Sequence, residues 1–491
     1  MLKQRLFFFA LSCAVLLSTQ SFAQDDQDTG QAAAEQVSST VPAAPGESNA
    51  GSADFTFKPS GFGTLQMLRF VNWKYNGSDL GEQTTGNVVA NLTLDFTSGK
   101  NWAYHIGMEG FVWYNTIPIG LIHDFSTMMK PAWSFYVHRA DAEYFFGNSD
   151  DFKGELNVGY FPYKYNPEVR NLGEYLYRSG TYPGWLVTNF DWSTARLAGL
   201  RFGSDLFKVW HNDLMLTSET EMFPYYDVSL SWLTSVKPFG KVLDIGAGID
   251  FARLFSANEG LTTPKFARNL KEIKNIQYST KTDPFSGQVV PDTTADSSYY
   301  TYRGTKLMGR LTFDFKGFLP DGGMGIFGEN DGKLYAEAAV LGLENQGVAD
   351  SAHGVFAYYD NLSQRIPIMF GFNIPTCKIL DVLAVEAEYY TMPYPDDYGN
   401  QLRWSSPQEG CPIPATGLGN YLRTQTNAYD TDSWKWSVYA SKTFNKHFML
   451  IVQAARDHSR TRSTYALYED GEEAFVKNSQ WYWAIKAVSV F

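Results

Sequence analysis

Cysteine is scarce in this chain of 491 residues, which contains only Cys13, Cys377 and Cys411. So few thiols exclude a fold held by several disulfides. The chain also lacks an HExxH motif and paired cysteines at zinc-site spacing, so we expect no metal and no cofactor. After residue 17 no apolar run is long enough to cross a bilayer as a helix, which takes about 20 residues. Nucleic acid is not an expected partner of a chain whose net charge is −12.

The N-terminus has the three parts of a secretory signal peptide. Lys3 and Arg5 supply positive charge, residues 6–17 are apolar, and Ser21-Phe22-Ala23 is a small-x-Ala cleavage site. We therefore predict that residues 1–23 are removed during export. Loss of the two basic residues changes the net charge from −12 to about −14.

The next segment is polar, acidic and rich in proline, alanine and serine over residues 24–52. Such a composition cannot bury enough apolar surface to offset the entropy lost on ordering. We predict a disordered periplasmic leader over 24–59, and a partner-binding role is the alternative. The remainder, 60–491, is predicted to be one domain.

In that domain, apolar residues recur at every second position. Over residues 88–96 one face reads Val, Ala, Leu, Leu, Phe, and the other contains Asn, Thr and Asp. Alternation over about ten residues is typical of a membrane-spanning strand. The pattern predicts sixteen strands, at 60–72, 86–97, 102–114, 132–146, 153–162, 194–203, 206–217, 225–235, 242–255, 299–315, 333–343, 365–374, 382–392, 433–443, 446–457 and 480–491.

The connections between the predicted strands alternate between short and long. Short ones such as 98–101 and 204–205 contain Gly, Asn, Asp or Ser, which favour tight turns. Long ones include 163–193 and 393–432. Outer-membrane barrels have short periplasmic turns and long outer loops, and an even strand count places both chain ends in the periplasm. The connection 316–332 is longer than this rule expects on the periplasmic side.

The last predicted strand ends at Phe491. Trp481, Trp483 and Ile485 share its face, and Ser489 interrupts that face. This strand resembles the C-terminal signal of bacterial outer-membrane barrels, in which a terminal aromatic residue is read by the barrel-insertion machinery. With the signal peptide and the loop rhythm, the whole region 60–491 resembles a general porin-type β-barrel.

These features predict an all-β fold, a transmembrane antiparallel up-and-down barrel of about sixteen strands in the outer membrane of a Gram-negative-type bacterium. The barrel must close because an open sheet edge is not tolerated in lipid. Sixteen strands leave a water-filled lumen, unlike an eight-stranded barrel filled by side chains. The resemblance implies that the third outer loop folds into the lumen as a constriction, and its candidate residues are Lys164, Glu168, Arg170, Glu174, Tyr175 and Arg178. The aromatic residues of this segment also fit an interfacial girdle or a stacking track for sugars.

Alternation further assigns charged residues to the lumen. The predicted acids are Asp95, Glu109, Asp141, Glu143, Asp244, Asp250, Asp314, Glu337, Glu386 and Glu388. The predicted bases are Arg69, Arg139, Arg310, Lys435 and Lys486, whereas Arg196 and Arg201 are left unassigned because their strand is ambiguous. Because acids outnumber bases, we expect a weak preference for cations, which the arginines of segment 160–193 could reverse.

Three other motifs suggest a dinucleotide site, a Ca²⁺ site or a catalytic pair, but each match is weak. Residues 323–328 match GxGxxG but lack the flanking strand and helix of a dinucleotide site. Acidic pairs near residues 396 and 430 are expected to be solvated rather than to bind Ca²⁺, because EF-hand spacing is absent. Ser134 and His138 share a face, but no third group orients them as a catalytic pair.

The leading hypothesis is a passive channel for small hydrophilic solutes, with no catalytic residue. Membrane lipid and the insertion machinery are the expected partners, and the resemblance implies a homo-oligomer. The rival hypotheses are a surface adhesin or scaffold barrel with a blocked lumen and, less favoured, an outer-membrane enzyme.

Overall fold

The fold was examined in a computed structural model of the chain. The structure describes residues 55–75, 78–81, 84–115, 132–147, 149, 151–177, 195–220, 226–240, 242–255, 257, 271–282, 288–299, 304–319, 325–341, 343, 348–350, 355–357, 363, 366–390, 434–457, 475 and 478–491. The described part of the chain contains twenty-two strands and one short 3₁₀ helix, Phe315–Phe318.

In chain order the strands are β1 (Phe55–Val71), β2 (Trp73–Tyr75), β3 (Ser78–Gly81), β4 (Thr84–Ser98), β5 (Trp102–Asn115), β6 (Ala132–Phe146), β7 (Phe152–Tyr163), β8 (Ala195–Leu206), β9 (Trp210–Ser218), β10 (Val228–Val236), β11 (Leu243–Phe255), β12 (Lys271–Thr282), β13 (Val289–Tyr299), β14 (Gly304–Asp314), β15 (Lys333–Val340), β16 (Val348–Asp350), β17 (Val355–Ala357), β18 (Ile368–Asn373), β19 (Val382–Tyr389), β20 (Trp434–Phe444), β21 (Phe448–Arg456) and β22 (Trp481–Val490).

Sixteen of these strands form one closed antiparallel barrel. Its order is β1-β22-β21-β20-β19-β18-β15-β14-β11-β10-β9-β8-β7-β6-β5-β4. Each barrel strand pairs with the barrel strands that precede and follow it in the chain, and the first and last strands, β1 and β22, pair with each other. The remaining strands form the separate hairpins β2–β3, β12–β13 and β16–β17 in long connections. The predicted sixteen-stranded up-and-down barrel is therefore confirmed, and β1 begins at Phe55 rather than at residue 60.

The barrel closes by pairing of its first and last strands, β1 and β22. β1 pairs with β22 from Phe62 opposite Val490 to Val71 opposite Trp481. Beyond them, the backbone N–H of Gly61 donates to the carbonyl of Phe491 at 3.0 Å, and the reverse bond is also 3.0 Å. The terminal residue thus completes the hydrogen bonding of the seam between the two strands.

The outward faces of the strands are apolar, as a lipid-facing surface requires. Leu65 and Met67 on β1 are 60% and 43% exposed, whereas Thr64 and Gln66, which alternate with them, are buried in the lumen wall. Aromatic residues form contacts along the outward short-turn end of the barrel. They include Phe55, Phe57, Phe96, Trp102, Tyr104, Tyr144, Phe146, Phe152 and Phe202.

A turn and a hairpin also differ from the sequence prediction. The β8–β9 turn lies at 207–209, not at 204–205, and Phe207 and Lys208 have φ of 53° and 59°. Neither residue is a usual turn former, so turn composition pointed to the wrong place. The hairpin β12–β13 was also missed, because a hairpin outside the barrel sheet has no lipid-facing side that would impose apolar alternation.

The long connection between β14 and β15 is organised around Asp331. Its carboxylate accepts hydrogen bonds from the backbone N–H of Gly328 at 2.8 Å, Thr376 at 3.1 Å and Cys377 at 3.0 Å. Burial raises the pKa of Asp331, but these backbone donors outweigh it and hold the pKa below its ordinary value. The connection is thereby tied to the β18–β19 turn.

Cys377 is exposed in the β18–β19 turn, and Cys411 lies outside the described residues. In the predicted topology Cys411 belongs to a loop at the opposite barrel end, about 26 Å away along the eight residues of β19. A disulfide needs Cα atoms within about 7 Å. We expect a non-reducing peptide map to show no link between Cys377 and Cys411, and such a link would contradict the topology.

Within the described residues, no helix has the length and apolar character needed to cross a membrane.

Candidate functional site

The segment that follows β7 folds into the barrel interior, and we call residues 164–177 the strap. Tyr165, Val169, Leu172, Tyr175 and Leu176 of the strap are buried. They form one apolar cluster with wall residues of β9, β10, β14, β15 and β18, among them Met215, Leu233, Met308, Tyr335 and Met369. Each buried aliphatic side chain of this kind contributes about 1.5–3 kcal/mol. The apolar cluster therefore holds the strap against the wall.

Glu337 of β15 is the first of two carboxylates that bind the strap. Its Oε1 accepts from the hydroxyl of Tyr165 at 2.5 Å and from the backbone N–H of Tyr175 at 2.9 Å. Its Oε2 accepts from Nδ2 of Asn166 at 2.8 Å and from the backbone N–H of Glu174 at 3.1 Å. One buried side chain thus satisfies two backbone donors that the strap could not pair within itself.

Glu386 of β19 binds the strap in the same way. It accepts from the backbone N–H groups of Arg170 at 2.6 Å and of Asn171 and Leu172 at 2.8 Å each. In the sixteen-stranded ring, β19 lies eight strands from β7, which is half of the circumference. The strap therefore crosses from its own strand to the opposite wall.

Further polar contacts bind the strap at three points along its length. Nδ2 of Asn171 donates to Asp457 beyond β21 at 2.8 Å. Lys333 at the start of β15 pairs with Glu168 at 2.8 Å. Lys306 of β14 donates to the carbonyl of Leu176 at 3.2 Å. Because these partners lie on three different strands or their ends, the strap is tied to the wall along its whole described length.

The wall from β4 to β6 carries a second polar cluster near the short-turn end. Nδ1 of His105 is 2.5 Å from Oδ1 of Asp95, and Arg139 pairs with Asp141 at 2.6 Å and with Glu143 at 2.8 Å. A bulge after Gly107 in the β5–β6 register interrupts the alternation at His138. Both His138 and Arg139 consequently contact inward-facing groups.

The adjoining wall, β7 to β9, continues the ion pairing. Arg201 donates to Glu155 at 3.0 Å and to Asp213 at 2.8 Å. His211 lies between two carboxylates, 2.7 Å from Asp205 and 3.0 Å from Asp213. The inner wall is therefore lined by paired rather than isolated charges.

Two observations define the architecture: sixteen strands pair into a closed barrel, and a strap packs across its lumen. The chain folds as a closed sixteen-stranded antiparallel β-barrel with an internal strap. No protein-family model matches its sequence, and no curated protein matches it.

Solved structures similar to this barrel include porins and one outer membrane channel, all at low identity. A mutant of the Rh. blastica porin is 7% identical over 89% of this chain and 100% of its own, with a TM-score of 0.38. Salmonella typhi OmpF in complex with daunomycin is 10% identical over 89% of this chain and 98% of its own, with a TM-score of 0.41. The Acinetobacter baumannii outer membrane channel DcaP is 12% identical over 90% of this chain and 100% of its own, with a TM-score of 0.41. At this level the similarity carries no argument, and the fold assignment depends on the strand pairing.

The structure gives a position in the barrel wall for the predicted lumen residues. Those that the structure places on buried, inward positions are Glu109, Asp141, Glu143, Asp250, Arg310, Glu337, Glu386, Glu388 and Lys435. Asp95, Arg139, Asp244, Asp314 and Lys486 alternate with outward residues and lie on the same side. Asp244 pairs with Arg310 at 3.3 Å, Asp314 with Lys316 at 3.2 Å, and Asp250 accepts from Ser231 at 2.7 Å.

Arg69 was assigned to the wrong face. It follows Leu65 and Met67 at two-residue intervals, and both of these side chains are exposed to the outside. The alternation therefore places Arg69 on the lipid side near the long-loop end, where a long guanidinium side chain can reach the polar interface.

The role expected of three wall acids also changes. Glu337, Glu386 and Glu388 were predicted to line the pore. In the structure Glu337 and Glu386 accept hydrogen bonds from the strap, and Glu388 accepts one from Tyr175 at 2.9 Å. Their carboxylates are buried beneath it. Sequence alternation finds the face on which a side chain lies but not what covers that face.

Several inward bases were missed or left open by the sequence. Arg201 binds two carboxylates, and Arg196 lies 3.8 Å from Glu109 with its guanidinium over the ring of Tyr136. Lys306 is buried under the strap. Gly199 and Gly203 put no side chain on one face of β8, so its sequence shows no clear alternation.

The predicted constriction residues are placed together, with one outside the described part. Lys164, Glu168, Arg170, Glu174 and Tyr175 all belong to the strap, where Glu174 accepts from the backbone N–H of Asn166 at 2.5 Å. Arg178 lies outside the described residues. Likewise Ser134 has no described side chain, and His138 contacts Asn91 at 3.1 Å within the lumen wall.

Proposed function

We propose that the protein is a passive channel for small hydrophilic solutes in the outer membrane of a Gram-negative-type bacterium. The observation that carries this proposal is a closed sixteen-stranded barrel whose lumen is crossed by a strap anchored to the opposite wall. A barrel of this size exceeds what wall side chains alone fill. The strap then reduces the cross-section, as a selectivity constriction does.

Transport of this kind needs no catalytic residue. The inner wall supplies charged groups such as Arg139 and Arg201, each held by two carboxylates. Fixed, paired charges give a polar path that solutes can follow without a binding site deep enough to retain them. Membrane lipid meets the apolar outer face, and the barrel-insertion machinery would recognise β22.

The strap also supports the rival hypothesis of a scaffold or adhesin with a blocked lumen. Its apolar cluster occupies the side of the lumen formed by β9 to β18. A second apolar group, Phe62, Val89, Met449, Ile451 and Val488, lies on the inward faces of β1, β4, β21 and β22. The two hypotheses differ in whether a continuous polar path remains between these groups.

Swelling of proteoliposomes tests the proposed function directly. Vesicles containing the folded barrel should swell in isosmotic solutions of small neutral sugars, faster for smaller solutes. Vesicles with the same amount of heat-modifiable barrel but no swelling above protein-free vesicles would support the blocked scaffold instead.

We further propose that the channel weakly prefers cations. Inward acids remain numerous, but the strap shields Glu337 and Glu386, while Arg196, Arg201 and Lys306 add positive charge. The expected preference for cations is therefore small. It should decrease at high salt, because the screening length is about 8–10 Å at physiological ionic strength and becomes shorter as salt is added. Reversal potential under a KCl gradient measures it. An anion-selective sign at low salt would show that the bases of the strap, Lys164 and Arg170, dominate.

A further inference from the structure

We infer that the inner wall of the barrel contains a site for a divalent transition-metal ion, zinc above all, between His105 of β5 and Glu143 of β6. The ligand atoms would be Nε2 of His105 and Oε2 of Glu143, with Asp141 beside them. One ligand atom from each of the three residues can be chosen so that all lie within 4.8 Å of one another.

The first argument concerns two buried atoms that have no hydrogen-bond partner. His105 and Glu143 are 5% and 2% exposed, and neither Nε2 of the histidine nor Oε2 of the glutamate has such a partner. Yet the two atoms face each other at 3.3 Å. Two buried polar atoms in this arrangement require a positive species between or on them.

The histidine is also held in the orientation that a ligand needs. Its Nδ1 lies 2.5 Å from Oδ1 of Asp95, where a hydrogen on Nδ1 donates to that carboxylate; in the neutral form of the ring, Nε2 then carries the lone pair. A carboxylate that fixes the second ring nitrogen is the usual outer partner of a metal-bound histidine. The observed Asp95–His105 pair supplies this arrangement.

The separation of the two facing atoms fits a metal ion between them and is longer than a strong charge-assisted hydrogen bond. A charge-assisted hydrogen bond has its heavy atoms about 2.7–2.9 Å apart. Zinc bonds of about 2.0–2.2 Å at a tetrahedral angle place two ligand atoms about 3.3–3.5 Å apart. The separation of 3.3 Å between Nε2 and Oε2 agrees with the metal-bridged arrangement.

Charge balance leads to the same conclusion. Among the directly paired groups, Asp95, Asp141 and Glu143 contribute three negative charges and Arg139 one positive charge, which leaves an excess of two negative charges when His105 is neutral. Arg201 on the adjoining wall also acts on Glu143, but its own charge is paired with Glu155 and Asp213. A divalent ion neutralises that excess, whereas one proton on His105 neutralises half of it. Arg139 donates to Oε1 of Glu143, which leaves Oε2 for the metal.

The mixture of ligands selects the ion. An imidazole nitrogen with carboxylate oxygens suits Zn²⁺ and similar first-row ions, and disfavours Ca²⁺ and Mg²⁺, which take oxygen ligands. Sequence motifs could not reveal this site, because its residues come from three strands at positions 95, 105 and 143 and meet only through the barrel register.

The chain contains its own control. His211 also lies between two carboxylates, but both of its nitrogens make hydrogen bonds, at 2.7 Å to Asp205 and 3.0 Å to Asp213. It faces the same lumen and has no unpartnered nitrogen. His211→Gln therefore removes a similar histidine without touching the proposed site.

The experiment is isothermal titration of ZnCl₂ into the untagged, folded, chelator-washed barrel, with heat-modifiability as the measure of folding. We expect one zinc ion per barrel, unchanged in His211→Gln, and binding weakened by about 10–100-fold in Asp95→Asn. Binding should be lost in His105→Gln and Glu143→Gln. A folded wild-type barrel that binds no zinc, or equal binding by Glu143→Gln, would overturn the site and leave an imidazolium–carboxylate pair.

A spectroscopic measurement on unmutated protein covers the case in which the variants do not fold. Co²⁺ bound through nitrogen and oxygen in a tetrahedral site should give intense visible absorption, which ZnCl₂ then removes. Absence of such bands at saturating CoCl₂ would also overturn the proposal. Neither measurement depends on whether the barrel conducts.

Discussion

Replacing Glu337 and Glu386 together by glutamine should raise the single-channel conductance by about twofold or more, because the strap loses its anchors and the narrowest part of the lumen widens. The two carboxylates accept five hydrogen bonds from backbone N–H groups of the strap. Hydrogen bonds to charged groups contribute about 1.5–3 kcal/mol each. An amide presents a donor where the strap also presents donors, so some of these bonds cannot form.

The matched control for this prediction is Asp244→Asn. Asp244 faces the lumen and pairs with Arg310, and in the described part of the chain it does not contact the strap. Its conductance should stay close to that of the wild type. Since the apolar cluster could hold the strap without its anchors, a variant lacking residues 166–176 provides a second comparison. Wild-type conductance in both the double variant and the deletion would show that the strap is not the constriction.

Removing the ring of Phe491 should sharply reduce the amount of assembled barrel at equal expression. The ring packs so closely over Gly61 that a Cβ at that glycine would come within 2.7 Å of Cζ of Phe491. Phe491→Ala keeps the backbone pair with Gly61 and removes only the ring, which the C-terminal resemblance implies is the assembly signal. Heat-modifiable barrel in membrane fractions is the measurement.

Phe448→Ala is the control for this effect. Phe448 lies at the same barrel end, on the neighbouring strand β21, and its side chain is exposed like those of the lipid face. Loss of any exposed phenylalanine there should produce the same defect if the cause were general hydrophobicity. Equal amounts of folded barrel for Phe491→Ala and wild type would remove the support that the C-terminus gives to the barrel assignment.

The number of strands, and the face on which each side chain lies, could be predicted from the apolar alternation that a lipid-facing strand requires. Every membrane strand must hide its polar residues on one side, so alternation in β4, β11 and β19 reveals which side that is. The prediction failed for Arg69, where a long side chain on the outer face lies close to the polar interface. It was ambiguous in β8, where glycine breaks the pattern.

The candidate site was predictable in place but not in its contacts. The length and aromatic content of segment 160–193, together with the porin resemblance, indicated which connection enters the lumen. Which wall it meets depends on strand order and register, since Glu337 and Glu386 are more than 160 and 210 residues away from it in sequence. The cluster around His105 was missed for the same reason.

Single-channel recording of the wild-type barrel in a planar bilayer tests the central claim most directly. A channel narrowed by the strap should give discrete, ohmic conductance steps that increase in proportion to the KCl concentration. Bilayers that contain correctly folded, heat-modifiable barrel and yet show no steps would contradict the channel and favour a barrel whose lumen is closed.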